Sequence, residues 1–320
     1  MPTGLGGMRS LLRRLATGAL GVRAVNRAAR RVAAARGRSL VLVYHRVAPD
    51  GSGPSPLVPS IPETLFARQL QTLGELGEIV PLAELLGSPH RAGRCRFALT
   101  FDDDYRAHAE SVLPLLGRLG VHGTFFLSGR SLHGLGPYWF EVLERLVEQR
   151  GVHEVAGRLA LSGRSPAELA VACERDPRRQ RQLEEAAEQP PEHLWPDQLR
   201  TLAATMTVGF HTLHHPALPA LSYEAVARAV TEGRAELAAV IRRPLSLFAY
   251  PHGKADRRVA AQVRRAGYTA AWTGTPDAIR PGDDPFLLGR WEPGPVTVDD
   301  LVVKVAARLH RPRTAPVARA

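Results

Sequence analysis

A chain of 320 residues with 44% apolar side chains has enough material for one large α/β domain or two smaller ones, which argues against a disordered or fibrous class. The net charge of +11 suggests a nucleic-acid partner, but nine arginines and no acid lie in residues 1–38, and Lys304, Arg308, Arg311, Arg313 and Arg319 lie in an equally acid-free 304–320. Without those fourteen charges residues 39–303 stand at −3, and a mildly acidic body lacking interleaved aromatic and basic side chains argues against a nucleic-acid groove.

Cys95 and Cys173 are the only cysteines and form no CxxC pair, so there is no disulfide scaffold and a reducing compartment fits. Residues 15–22, behind Arg13 and Arg14, are too short an apolar run to span a bilayer and make a weak export signal. The N-terminal alternation of arginine with Leu, Val and Ala reads either as disorder or as a basic helix lying on an anionic membrane. The expected location is the cytoplasm, including the inner face of the membrane, with peripheral contact through this segment.

In chain order, residues 39–45 (SLVLVYH) predict a first strand and the Pro/Gly/Ser-rich 49–62 a loop. Apolar residues at 65, 66, 70, 73 and 76 predict a helix over 63–76, followed by a short strand at 79–80 and a helical 82–86. The apolar 97–101 reads as a strand that delivers Asp102, Asp103 and Asp104 at its C-terminal end. A helix over 109–119 and a strand over 124–127 complete a βαβ unit. Residues 130–205 break the rhythm: an aromatic LHGLGPYWF, helices over 141–149 and 192–204 and a charged stretch at 173–188 read as a mostly helical insertion. Alternation resumes with strands at 206–210, 245–250, 269–273 and 286–291, and helices over 223–241, 257–266 and 298–309. The expected class is α/β, organised as a basic segment 1–38, a body 39–303 carrying the insertion 130–205, and a basic tail 304–320.

Chemistry in such folds gathers at the C-terminal ends of strands. Three adjacent carboxylates there need a cation or a proton to compensate them, although a solvated turn with a helix cap is the plain alternative. His211 and His215, in GFHTLHHP, are four apart, and a helical turn would put both imidazoles on one face, with His214 a competing ligand. Two such histidines and a carboxylate from another strand make an open metal site of the hydrolytic kind. FAYPHG (248–253) predicts a tight turn after a strand, with backbone N–H groups facing the site; alone it would be an ordinary turn. His45 and Arg290 also follow apolar runs, and each alone would read as structural.

Together these stretches resemble the polysaccharide deacetylases, the NodB-type carbohydrate esterases of family 4. The resemblance rests on TFDDDY (100–105), GTFFLSG (123–129), HTLHHP (211–216) and FAYPHG, and spans about 39–292 apart from the insertion. LVYHRV (42–47) resembles the circularly permuted branch of poly-N-acetylglucosamine deacetylases, in which the histidine motif comes first. The resemblance implies a distorted (β/α) barrel and a metal-dependent hydrolase that removes the N-acetyl group of a sugar. It assigns Asp103, His211 and His215 to a metal, Zn²⁺ or another divalent transition metal. It makes Asp102 the general base and His45 the general acid, and gives the backbone N–H of His252 to the oxyanion. Three positions depart from the pattern: Asp104 replaces a common glycine, His252 a tyrosine, and Ala249 an arginine that orients the catalytic aspartate. Arg290 is the candidate to supply that guanidinium. A non-catalytic glycan-binding relative is the alternative reading, followed by a glycosyltransferase that uses Asp102–Asp104 as a DxD motif. The substrate expected is an intracellular or membrane-associated glycan intermediate, including a lipid-linked one.

Overall fold

The computed structural model describes residues 38–311 except 54, 88–94, 164 and 188–191. All but the last residue of the segment expected at 1–38, and the end of the expected tail, thus lie outside the described residues. From the N-terminal side run β1 (Ser39–Tyr44), β2 (Arg46–Ala48), β3 (Ser60–Pro62), α1 (Glu63–Leu76), β4 (Gly77–Ile79), α2 (Glu84–Gly87), β5 (Cys95–Asp102), α3 (Leu113–Leu119) and β6 (Gly123–Leu127). Next come α4 (Trp139–Arg150), α5 (Val152–Arg158), α6 (Pro166–Glu174), α7 (Pro177–Glu185) and α8 (Pro196–Thr205). The chain continues through β7 (Thr207–Phe210), α9 (Tyr223–Ala229), α10 (Arg234–Ile241), β8 (Leu247–Ala249), α11 (Arg257–Arg265), β9 (Ala270–Trp272) and α12 (Val298–His310).

The main sheet is parallel throughout, in the order β1-β5-β6-β7-β8-β9, with β4 paired to the start of β5. Every residue of β5 is buried, as expected of a strand covered on both faces. The sheet curls until its edges meet through the segment 286–291. Leu288 bridges Trp272 of β9, and Trp291 bridges Leu42 of β1. Here the expected strand is two isolated bridges, because the chain passes between β9 and β1 and pairs with each only once. The result is the expected distorted (β/α) barrel.

Side chains alternate across this wall. Leu40, Leu42, Phe97, Leu99, Phe101, Phe125 and Leu127 point outward and pack under the helices with Phe66, Leu116, Leu202, Val263 and Val305. Val41, Ala98, Phe126, Ala249, Ala270, Trp272 and Leu288 fill the inside. Small residues on three strands leave room there for Trp272 and Phe126, whose rings lie 5.6 Å apart. Because Asp102 shares the parity of Ala98, it leaves β5 on the inner face.

Several elements differ from the sequence reading. Within 49–62 the chain forms β3, which pairs with β2. A π-helical turn, His108–Val112, precedes α3. The single helix expected over 223–241 is split, because Gly233 takes φ 78 ahead of α10. The boundary drawn at 303 falls inside α12, which buries Leu301, Val302, Val305, Ala306 and Leu309. Between β6 and β7 the described residues hold helices and no strand, but they divide by packing. Helices α4 to α7 share a separate core of Trp139, Leu143, Val155, Leu169, Cys173 and Leu183, whereas α8 contributes Leu199, Leu202 and Ala203 to the outer layer of the barrel. Both cysteines are free and buried. No helix among the described residues is long and apolar enough to cross a membrane.

Candidate active site

The C-terminal ends of β1, β5, β7 and β8 and the closing segment converge on one cluster. At the end of β5 the backbone breaks from its extended path, Asp103 taking φ 69. Adjacent carboxylates thereby turn to different partners. Asp102 receives a bidentate grip from Arg290, Nη1 to Oδ1 at 2.6 Å and Nη2 to Oδ2 at 2.7 Å. Arg290 also donates to Thr100 and lies 5.3 Å from the Phe126 ring centre, and it is only 2% exposed. Burial pushes the Asp102 carboxyl up, but Arg290, His211 and His45 outweigh it and bring its pKa down to about 2.

Asp103 faces the histidines. Its Oδ1 lies 3.8 Å from His211 Nε2 and 3.7 Å from His215 Nε2, and this buried oxygen has no hydrogen-bond partner. His211 Nδ1 contacts the Ala249 carbonyl at 2.9 Å, which fixes its proton there and leaves the Nε2 lone pair toward Asp103. One ligand atom from each of Asp103, His211 and His215 falls within 4.8 Å of the others. Burial, ahead of neighbouring charges, pushes Asp103 up to about 8, His211 down to about 4 and His215 below the usual imidazole range. An orphaned buried oxygen facing two neutral imidazoles is the donor set of a divalent transition metal, and the residues fit that group.

The histidine pair is not on a helical turn, as its spacing suggested. Residues 211–216 form a loop in which Thr212 and His215 take φ 64 and 51, and Thr212 Oγ1 accepts a hydrogen bond from the His215 N–H. Left-handed residues at both positions fold the loop back and bring the two rings to 4.9 Å. His214 does not compete: its exposed side chain turns to Glu232 at 3.4 Å. Among the described residues six non-glycines have positive φ, and four of them, Asp103, Thr212, His215 and His252, belong to this site.

His252 sits in the 3₁₀ turn Pro251–Gly253, its ring 4.4 Å from that of His215. The turn rests on a close backbone approach, since a Cβ on Gly253 would stand 2.6 Å from Gly274. The register Tyr44 to Phe101 sets His45 level with Asp102. His45 Nδ1 lies 3.2 Å from Glu292 Oε1, and the His45 carbonyl is 2.9 Å from His108 Nε2. Burial alone would lower the His45 pKa, but the hydrogen bond and charge of Glu292, with Asp102 and Asp103, raise it to about 9. Asp104 accepts from the backbone N–H groups of Ser128 and Arg130 at 2.8 and 2.9 Å, a tie between strand ends.

The sequence reading missed Glu292, two residues beyond Arg290 and hence on the same side of the closing segment. It also gave no role to the aromatics around His215, Tyr138 at 5.4 Å and Phe140 at 5.3 Å. Their only signal was the clustering of aromatics in PYWF.

The profile of the polysaccharide deacetylase family matches residues 91–271, more than half of the chain. The chain belongs to the polysaccharide deacetylase family. Solved structures similar to this deacetylase include the Streptococcus pyogenes deacetylase PplD in complex with acetate, at 16% identity over 84% of this chain and 99% of that one, with a TM-score of 0.59. IcaB from Ammonifex degensii is 22% identical over 86% and 97%, with a TM-score of 0.56. The de-N-acetylase from Aggregatibacter actinomycetemcomitans is 15% identical over 79% and 94%, with a TM-score of 0.53. At these identities the likeness supports the shared barrel alone. No curated protein sequence matched the chain.

Proposed function

We propose that this carbohydrate deacetylase hydrolyses the N-acetyl group of an N-acetylated sugar in a glycan or glycan intermediate, with Asp103, His211 and His215 holding a divalent metal, Zn²⁺ in the simplest case. The observation that carries the reading is the unpartnered Asp103 Oδ1 facing both imidazoles, beside an Asp102 held ionised by Arg290. When bound, the metal supplies Lewis acidity that eases deprotonation of a water and polarises the acetyl oxygen. Asp102 accepts the proton of the attacking water, and Arg290 fixes both of its oxygens. The water oxygen bonds to the acetyl carbon. The C–N bond breaks as His45, protonated at neutral pH through Glu292, gives its proton to the nitrogen. Acetate and a free amine result. The His252 backbone N–H is assigned to the developing oxyanion, where one donor typically contributes about 10²–10³ in rate.

Two further details belong to this reading. The acid-free, arginine-rich 1–38 supports a cytoplasmic protein that touches the inner membrane face, and with it a lipid-linked substrate. His45 at the end of the first strand supports the permuted branch. Asp104, whose two oxygens accept from the Ser128 and Arg130 backbone N–H groups, weighs against the glycosyltransferase reading. Acetate release should be measured across monosaccharide, nucleotide-sugar, lipid-linked and oligomeric N-acetylhexosamines with defined metal. Release by wild type and none by Asp102→Asn is expected. No release from any of them would leave only a glycan-binding role.

A further inference from the structure

Glu144 is a carboxylate in the middle of α4, 3% exposed and far in sequence from every residue assigned above. Among the described residues its hydrogen-bond partners come from the segment C-terminal to His45. It accepts from Arg46 Nη2 at 3.1 Å, from Ser55 Oγ at 2.7 Å, and from the backbone N–H groups of Leu57 and Val58 at 2.8 and 3.0 Å. Leu57 also packs against the core of α4 to α7. A buried carboxylate costs heavily unless it is paired and hydrogen-bonded, so α4 and the loop after β2 are stable here only together. Arg46 is the next residue after His45. It is tied on its other side to the base of the same loop, its N–H donating to the Pro59 carbonyl at 3.1 Å.

We propose that Glu144 is a positioning residue for the general acid: by clamping Arg46 and the loop tip to α4, it holds the chain on the C-terminal side of His45 and so fixes where His45 delivers its proton. This rests on the deacetylase reading and gives the helices between β6 and β7 a part in catalysis without touching the reacting atoms. Glu292 and His108 hold the ring and carbonyl of His45, and β1 holds the residue before it. The Glu144 clamp secures Arg46 and the loop on its far side.

The test uses two substrates on the metal-loaded full chain. An N-acetylhexosamine needs a proton on its departing amine, whereas nitrophenyl acetate releases a phenolate that leaves unprotonated. Glu144→Ala is expected to lower acetate release from the amide about 10- to 100-fold, part of what a general acid usually contributes. Aryl ester turnover should stay within about twofold of wild type. Glu144→Gln, whose amide oxygen can still accept from Leu57 and Val58 while its NH2 group cannot accept from Arg46, should recover only part of the loss. In hydrogen exchange of the metal-free protein, the Leu57 and Val58 amides should lose protection in Glu144→Ala while those of β1 and β5 keep theirs. A parallel fall with both substrates, no fall with either, or loss of protection throughout β1 and β5 would overturn the proposal. Should Glu144→Ala fail to yield folded protein, Ser55→Ala takes its place, and an amide-to-ester ratio equal to wild type then overturns it. Wild type releasing acetate from neither substrate refutes the deacetylase reading itself.

Discussion

Asp102 and Asp103 share a peptide bond and are driven in opposite directions. One meets a guanidinium on the inner face of the barrel; the other, turned by a positive φ, meets two imidazoles and has no hydrogen-bond partner on its Oδ1. The difference separates two losses. Asp103→Ala or His211→Ala should reduce bound metal to a small fraction of one equivalent by elemental analysis, and acetate release with it. Arg290→Ala should lower acetate release about 10²-fold through misplacement of Asp102. It also leaves a buried carboxylate uncompensated, for a loss of about 3–5 kcal/mol in urea unfolding. Asp102→Asn with Arg290→Met should recover most of that stability and none of the activity. His45 gives the pH dependence. Its folded pKa of about 9 exceeds the free imidazole value of about 6.5, so the stability it contributes is fully present below pH 6.5 and lost as pH rises through 9. Glu292→Gln should draw the alkaline limb of the rate profile down toward the free value. An unmoved limb would mean that Glu292 does not govern the acid.

At the level of elements, strand ends were the legible part. The apolar runs before His45, Asp102 and His252, together with the motif resemblance, were enough to name the residues that the fold brings together. Their local conformations were not legible. An HxxxH spacing is compatible with a helix, yet Thr212 and His215 are left-handed, which depends on where Asp103 and Ala249 lie across the barrel. The break between α9 and α10 was readable in principle from Gly233. Gly209 shows what a strand pays for a site: its missing side chain admits the Phe126 ring, and a Cβ would stand 2.5 Å from it and 2.9 Å from the Leu247 carbonyl. Gly209→Ala is therefore expected to cost about 1–3 kcal/mol in urea unfolding. A neutral result would mean that Phe126 has freedom to move aside.

For the whole molecule, fold class followed from alternation of strand and helix, but closure did not. The segment 286–291 lies next to β1 in space and far from it in sequence, and a pair of isolated bridges leaves no periodicity to read. Leu288→Pro, which removes the N–H bonded to the Ala271 carbonyl at 3.1 Å, should lower stability by about 1–3 kcal/mol. It should depress acetate release further than metal content, because Arg290 comes two residues later. The same segment fixes an order of events during synthesis. All three proposed metal donors have left the ribosome once residue 215 is out, but the residues proposed to orient base and acid arrive with residues 290 and 292. A nascent or truncated chain ending between Trp272 and Arg290, with Ala249 in place beside His211, is expected to capture its cation while remaining inert, with the flanks of β1 and β9 bare and prone to stray strand pairing. Chemical competence thus comes last, in the step that also seals the ring.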